Sequence, residues 1–188
     1  MSDMRGKRLG PMAQKILLLL EAGVVLGLTS RPDQYFRVLK QTSAAWRIIN
    51  KESLHRGIKR LHHSQLVICE RKGDGTVLLS ISNLGTKKTL QYHVRDMKLP
   101  RVVRWDGSWR IVIFDIPEKL KQGRRAFSEK LRELGFYALQ KSVFVFPYPC
   151  KKEMDILVEY FELQPYVRLI EAQKIDNASY LKRHFKIT

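Results

Sequence analysis

Between Arg110 and Ala172 the chain switches repeatedly between short β-branched runs and helical spacing, and the order of those switches limits the available folds most. Arg110–Ile116 reads RIVIFDI, too short for a helix and apolar enough for a buried strand. Pro117 then opens a helix of about 18 residues, since a missing N–H costs nothing in a first turn. Its apolar positions include Leu120, Phe127, Leu131 and Leu134, and Gly135 stands where a left-handed cap ends it. Strand-like runs follow at Phe136–Leu139 and Ser142–Pro147, then a helix at Lys151–Phe161 and a strand at Val167–Ala172. The order βαββαβ predicts a ferredoxin-like domain of the split-βαβ plan. A short C-terminal helix or tail is expected over Asn177–Phe185.

The first half has a different rhythm: helix, helix, helix, hairpin, helix. Pro11 starts a helix that is apolar nearly all round, from Ile16 to Val25, within the apolar stretch Ile16–Leu28. A second helix is predicted over Arg31–Ile49, and Asn50 reads as the N-cap of a third. In that third helix Leu54, Ile58 and Leu61 form one apolar stripe, while His55, Arg56, Lys59, Arg60 and His63 fall elsewhere on its surface. Leu66–Arg71 and Thr76–Ser82 read as a hairpin turning at Gly73-Asp74-Gly75, with Arg71 and Lys72 at the tip. Another helical segment runs from Ser82 to His93. Three helices and a basic-tipped hairpin are the order of a winged helix-turn-helix, in which a helix with an apolar back and cationic front suits the major groove. The whole is thus predicted as α+β, a winged helix at 1–98 and a ferredoxin-like domain at 99–188. Pro100 and the Asp106-Gly107 turn mark the join within Lys98–Ser108. The first ten residues read as a basic arm.

Charge points to the partner. The 188 residues hold 35 Lys and Arg against 18 Asp and Glu, a net charge of +17. Residues 1–99 carry 18 of the basic and 7 of the acidic residues, so the first half is the better phosphate-binding surface. Neutralising phosphates and releasing their counterions drives such binding without any reading of bases. The DNA-contacting set expected from these patterns is Lys51, Ser53, His55, Arg56, Lys59, Arg60, Arg71 and Lys72, with double-stranded DNA as the partner.

Several classes are not expected. Cys69 and Cys150 are isolated, and the five histidines lack metal-ligand spacing, so neither a structural zinc nor another cofactor is indicated. The stretch Ile16–Leu28 is shorter than the roughly 20 residues of a membrane span, and no secretory signal is evident, so a cytoplasmic protein is expected. No Gly-rich phosphate loop, triad or paired carboxylates appear.

The stretches WDGSWRIVIFDIPE (105–118), LRELGFYALQKSVFVFPYP (131–149) and VRLIEA (167–172) resemble the Cas-two-like central domain of the phenylacetic-acid-catabolism repressor (PaaX) family. They are also similar to the CRISPR-associated Cas-two endonuclease family, and the likeness covers roughly 105–175. The first half resembles, more weakly, the winged helix of the same repressors. Repressors of this family carry a further C-terminal domain, so sensing of an acyl-coenzyme A effector is not expected of the chain ending at Thr188; plain Cas-two proteins lack the winged helix. The resemblance implies a homodimeric transcriptional regulator. Its alternative is a Mg²⁺-dependent endonuclease, or a subunit partnering a CRISPR integrase, with Asp115 at the position of the proposed catalytic metal ligand. Mg²⁺ takes oxygen ligands and can activate water at a phosphodiester. The residues themselves suggest another role for Asp115, as a carboxylate stabilising the helix start after Pro117. Ser142, placed by the resemblance near the dimer cleft, has no base assigned to it and reads as a local hydrogen-bonding residue. The apolar run Val143–Phe146 exceeds what a one-faced strand needs, and a symmetric contact through the second half would hide it.

Overall fold

A computed structural model describes residues 9–22, 26–29, 51–73, 76–99 and 104–187, and its packing divides the chain into two compact units, 1–91 and 92–188. The predicted second helix at 31–49, the Asn50 cap, the basic arm before residue 9, the tip residues Asp74 and Gly75, and Pro100 lie outside the described residues.

In the first unit, α1 (Pro11–Glu21) begins at its proline and buries Ala13, Ile16, Leu17 and Leu20. The expectation of one apolar helix reaching Leu28 is corrected here. The α1 helix ends at Glu21, and Leu26–Thr29 is a strand, β1. A continuous apolar run fits a buried strand as well as a buried helix, and periodicity cannot separate them. What decides is pairing: β1 lies antiparallel to β3 (Thr76–Ile81), with Leu26 opposite Leu79. On its other side β3 pairs with β2 (Val67–Arg71), giving a three-stranded antiparallel sheet of order β1-β3-β2.

Helix α2 (Lys51–His63) buries Leu54, Ile58 and Leu61, as the spacing predicts. It packs against α1 closely because Gly57 faces it. A Cβ at Gly57 would stand 2.7 Å from Ile16 Cδ1. Helix α3 (Asn83–Asp96) follows the sheet. Inside the unit it is tied to α1 by Thr89, whose hydroxyl donates to Glu21 Oε1 at 2.6 Å. The last turn of α3 belongs to the second unit, where Val94 is buried in the core with Met97 and Leu99 packed against it.

The second unit has the predicted order. Strand β4 (Trp109–Phe114) leads through a 3-10 turn (Glu118–Leu120) into α4 (Lys121–Glu133). Then come β5 (Tyr137–Gln140), β6 (Val143–Phe146), α5 (Lys151–Tyr160), β7 (Val167–Ala172) and α6 (Ala178–Phe185). The sheet order β5-β6-β4-β7 with every neighbour antiparallel is the ferredoxin-like topology, and the class is α+β. Gly135, at φ 92°, ends α4 in the left-handed region as predicted.

Alternation along β4 explains the two faces. Val112 and Phe114 join Phe144, Phe127, Leu131, Met154 and Leu157 in the main core. Trp109 and Ile111 point the other way, where Trp109, Val145 and Leu181 form a second cluster under α6. So the apolar run at Val143–Phe146 is used inside the chain. Phe144 and Phe146 serve one core and Val145 the other, and the surplus attributed to a dimer contact is largely consumed by α6. No helix among the described residues is long and apolar enough to cross a membrane.

Candidate nucleic-acid interface

The sequence singles out the third predicted helix and the hairpin, and local hydrogen bonding explains how these two are held together. At the end of α2, Leu66 N donates to Leu61 O at 3.0 Å and Gln65 N to His62 O at 2.9 Å, while Gln65 sits at φ 56°. This Schellman-type ending satisfies the last carbonyls of the helix and turns the chain straight into β2. Ser82, at the far end of the hairpin, closes the arrangement. Its amide donates to Leu66 O at 3.1 Å, its hydroxyl donates to Gln65 O at 2.6 Å, and the same hydroxyl oxygen accepts from Gly85 N at 3.0 Å. Ser82 therefore caps α3 while tying it to the turn after α2. Gly85 must lack a side chain, because a Cβ there would run into the Leu66 carbonyl oxygen. Helix, hairpin and following helix are thus locked by one serine and one glycine, neither of which sequence pattern alone marks for that role.

On this frame Arg56, Lys59 and His63 recur at helical spacing on the side of α2 opposite the Leu54–Ile58–Leu61 stripe, and all three are exposed. His55 is exposed on the flank and Ser53 is half-buried. Lys51 is the first residue of the helix. Arg60 is exposed too, but its guanidinium reaches toward the start of α1, 3.6 Å from where Gly10 would carry a Cβ. Arg71 and Lys72 are exposed at the turn end of β2. The same helix carries Glu52 in its first turn, where a carboxylate complements the helix dipole. The arrangement presents exposed cations on a helix whose back is anchored and at the turn end of the hairpin that follows it. That can neutralise phosphates along a groove.

Asp115 stands elsewhere, in the second unit. It is exposed just past β4, and its amide donates to Tyr166 O at 3.0 Å. Its expected role at the helix start is corrected. The chain stays extended through Pro117, ψ 154°, and the 3-10 turn begins at Glu118 with no side-chain cap bond. The carboxylate in that first turn is Glu118, which pairs with Arg124 at 3.0 Å. Burial of Ile116 keeps the intervening residue in the core and Asp115 outside it. Among the described residues no group of three or more His, Cys, Asp or Glu side chains is placed to hold a metal ion. Asp115 is a single exposed carboxylate of this chain, and Mg²⁺ is held through one or two carboxylates with waters and phosphates completing its shell. Ser142 contributes its carbonyl, accepting from Phe114 N at 3.1 Å, a strand-pairing role.

Sequence reasoning missed the buried charges of the second unit, Lys130, paired with Glu133 at 2.8 Å, and Arg110. Arg110 is 5% exposed, and its guanidinium donates to Asp106 Oδ1 at 2.7 Å, to Ser108 O at 2.9 Å and to Pro147 O at 3.2 Å. The bonds from Arg110 hold the Asp106 carboxyl below the usual carboxylate range. Beside it, burial pushes the Cys150 thiol up to about 12. This cluster fastens the Trp105–Ser108 turn to the sheet. Its chemistry is structural.

Residues 102–182 match the family described as the PaaX protein central Cas2-like domain. No match was found among curated proteins. Among solved structures, an uncharacterized protein from Mycobacterium tuberculosis, Rv0674, aligns over 95% of this chain and 68% of its own, at 18% identity and a TM-score of 0.39.

Proposed function

We propose that the chain is a DNA-binding transcriptional regulator of the PaaX-like type, a reading supported by the match of residues 102–182 to the family described as the PaaX protein central Cas2-like domain. In this reading the first unit is a winged helix with α2 as the reading helix and the β2–β3 hairpin as the wing. The second unit carries a homodimer contact that pairs two such readers. The protein acts inside the cytoplasm and needs no cofactor. The observation that carries the reading is the two-sided character of α2. Its back is anchored through Leu54, Ile58 and Leu61, and its front holds Arg56, Lys59 and His63 in solvent. A helix anchored in this way fixes the backbone under these cations, so that binding has only their side chains left to order. The net charge of +17 supplies the long-range attraction.

A helix of this kind contributes by neutralising phosphates, so the test is the salt dependence of binding. The double substitution Arg56→Ala, Lys59→Ala should weaken binding of a labelled duplex. It should also reduce the slope of log K against log salt by about 0.9 for each phosphate left unneutralised. Both side chains are exposed, so the fold should be retained, as circular dichroism would check. Unchanged affinity and slope would reject α2 as the DNA-contacting helix.

A further inference from the structure

Helix α6 is fixed to the sheet by Leu181, which is fully buried, with Ala178 and Phe185 packed beside it. Ile175, Ile187 and the half-buried Tyr137 pack against the same cluster. These contacts leave an outer surface whose composition the packing of the helix does not explain. Tyr180 is 48% exposed and His184 is exposed one turn later. Their rings lie nearly parallel, 16° apart, with centroids separated by 6.4 Å. Tyr137 of β5 stands next to both, 5.6 Å from the Tyr180 ring and 4.8 Å from that of His184. Its hydroxyl is 3.5 Å from that of Tyr180. Around the rings, Arg183 and Lys186 are exposed, and Lys174 precedes the helix. Lys182 is also exposed and rests its ammonium 5.1 Å from the Trp105 ring centre. Residues 174–187 hold four Lys and Arg against one acid, Asp176.

We propose that α6 and Tyr137 form a contact site for single-stranded nucleic acid, distinct from α2 and the hairpin. Exposed aromatic side chains flanked by cations, as Tyr180 and His184 are, suit unpaired bases and their phosphates. A base stacks on the aromatic, and the backbone runs along the positive side chains. A duplex offers its phosphates but keeps its base faces inside the stack, so it would use the cations and leave the rings idle. An acidic protein surface would likewise need Arg183 and Lys186 but not the exposed rings of Tyr180 and His184. The platform is preorganised, because Tyr137 is set by the sheet and Tyr180 and His184 by the docked helix. The proposal stands whether or not α2 reads duplex DNA.

The experiment uses the full chain and a labelled oligothymidylate, with a duplex of the same length for comparison. Tyr180→Ala should weaken oligothymidylate binding about five- to 150-fold, the worth of one stacked base. Tyr180→Phe keeps the ring and should bind as the parent does. Arg183→Ala with Lys186→Ala should weaken single-strand binding in a salt-dependent manner. Duplex affinity should be unchanged in Tyr180→Ala. The site is overturned if the oligothymidylate does not bind, or if Tyr180→Ala leaves its affinity unchanged. It is also overturned if Tyr180→Phe loses as much as Tyr180→Ala, or if duplex binding falls in parallel. Either of the last two results would mark a structural rather than a stacking role.

Discussion

Arg110 shows how one buried charge can organise a turn that the sequence marks only as Asp-Gly. Its side chain is 6% exposed, whereas that of its partner Asp106 is 42% exposed, so the pair has one dry end and one wet end. Glu171 lies across the strand with a carboxylate oxygen 3.9 Å from Arg110 Nε, too far for a hydrogen bond. Removing Asp106 would therefore leave a buried guanidinium short of its main acceptor. Asp106→Ala should cost about 1–3 kcal/mol at neutral pH, the usual cost of a buried polar group left unsatisfied. The pH dependence has a definite sign. Because the folded carboxyl titrates below its unfolded value of about 3.9, its contribution is complete above that value and disappears as pH falls through the folded pKa. Urea unfolding of parent and variant should show a gap at pH 7 that narrows toward pH 3. A gap that stays constant would mean that the carboxylate charge does not matter here. Water screens the exposed end, so the Coulombic share is smaller than the hydrogen-bond share.

At the scale of elements, α6 explains why the run at 143–146 offers little to a second copy. By its sequence Val145 is surplus apolar surface on an open sheet face, but Leu181 of α6 covers it. Coverage stops partway along the sheet. Ile113 on β4 is 38% exposed and Ile170 on β7 is 43% exposed. They are diagonal neighbours on the same face, since Ile111 pairs with Ile170 and Ile113 with Arg168. With Phe144, Val145 and Phe146 buried, this exposed strip is where the proposed dimer contact can be tested. Ile113→Glu with Ile170→Glu should cost the protomer little, because both side chains already meet solvent. It should shift light scattering at tens of micromolar (chosen well above a micromolar dissociation constant) from dimer to monomer. A parent that is already monomeric there would remove the dimer from the proposal. The elements themselves are legible where periodicity switches sharply, as at Pro117 and Gly135. They are illegible where a run is apolar throughout, as at β1; the C-terminal helix or tail expected over Asn177–Phe185 is the helix α6, and only its docking on Trp109 and Val145 escapes the sequence. The cationic face of α2 is legible because a single helix carries both its anchor and its charges. The Tyr137–Tyr180–His184 platform is not, because its members come from β5 and α6 and only the fold joins them.

Across the whole molecule, the boundary between the two units falls inside a helix. The sequence puts a boundary at residues 98 and 99, on the strength of Pro100 and the Asp106-Gly107 turn, whereas packing divides the chain at 91 and 92, inside α3. The reason lies in the last turn of that helix. Val94 is 6% exposed in the core of the second unit, and Met97 and Leu99 lie against the same core. Arg95 and Asp96 pair at 2.7 Å on its surface. A fragment beginning at residue 99 would keep the βαββαβ order but lose Val94 and Met97, leaving part of the core open to water. Burying a valine side chain is worth roughly 1.5–3 kcal/mol, so the loss is a large share of a small domain's stability. Fragment 92–188 should therefore unfold at a clearly higher urea concentration than fragment 99–188. The difference should shrink when Val94→Ala is made in the longer fragment. Equal midpoints would place Val94 and Met97 outside the cooperative unit and return the boundary to the position the sequence marks. A higher midpoint for 92–188 that survives Val94→Ala would assign the stabilising contact to Met97 instead, a residue that a second substitution, Met97→Ala, would then expose.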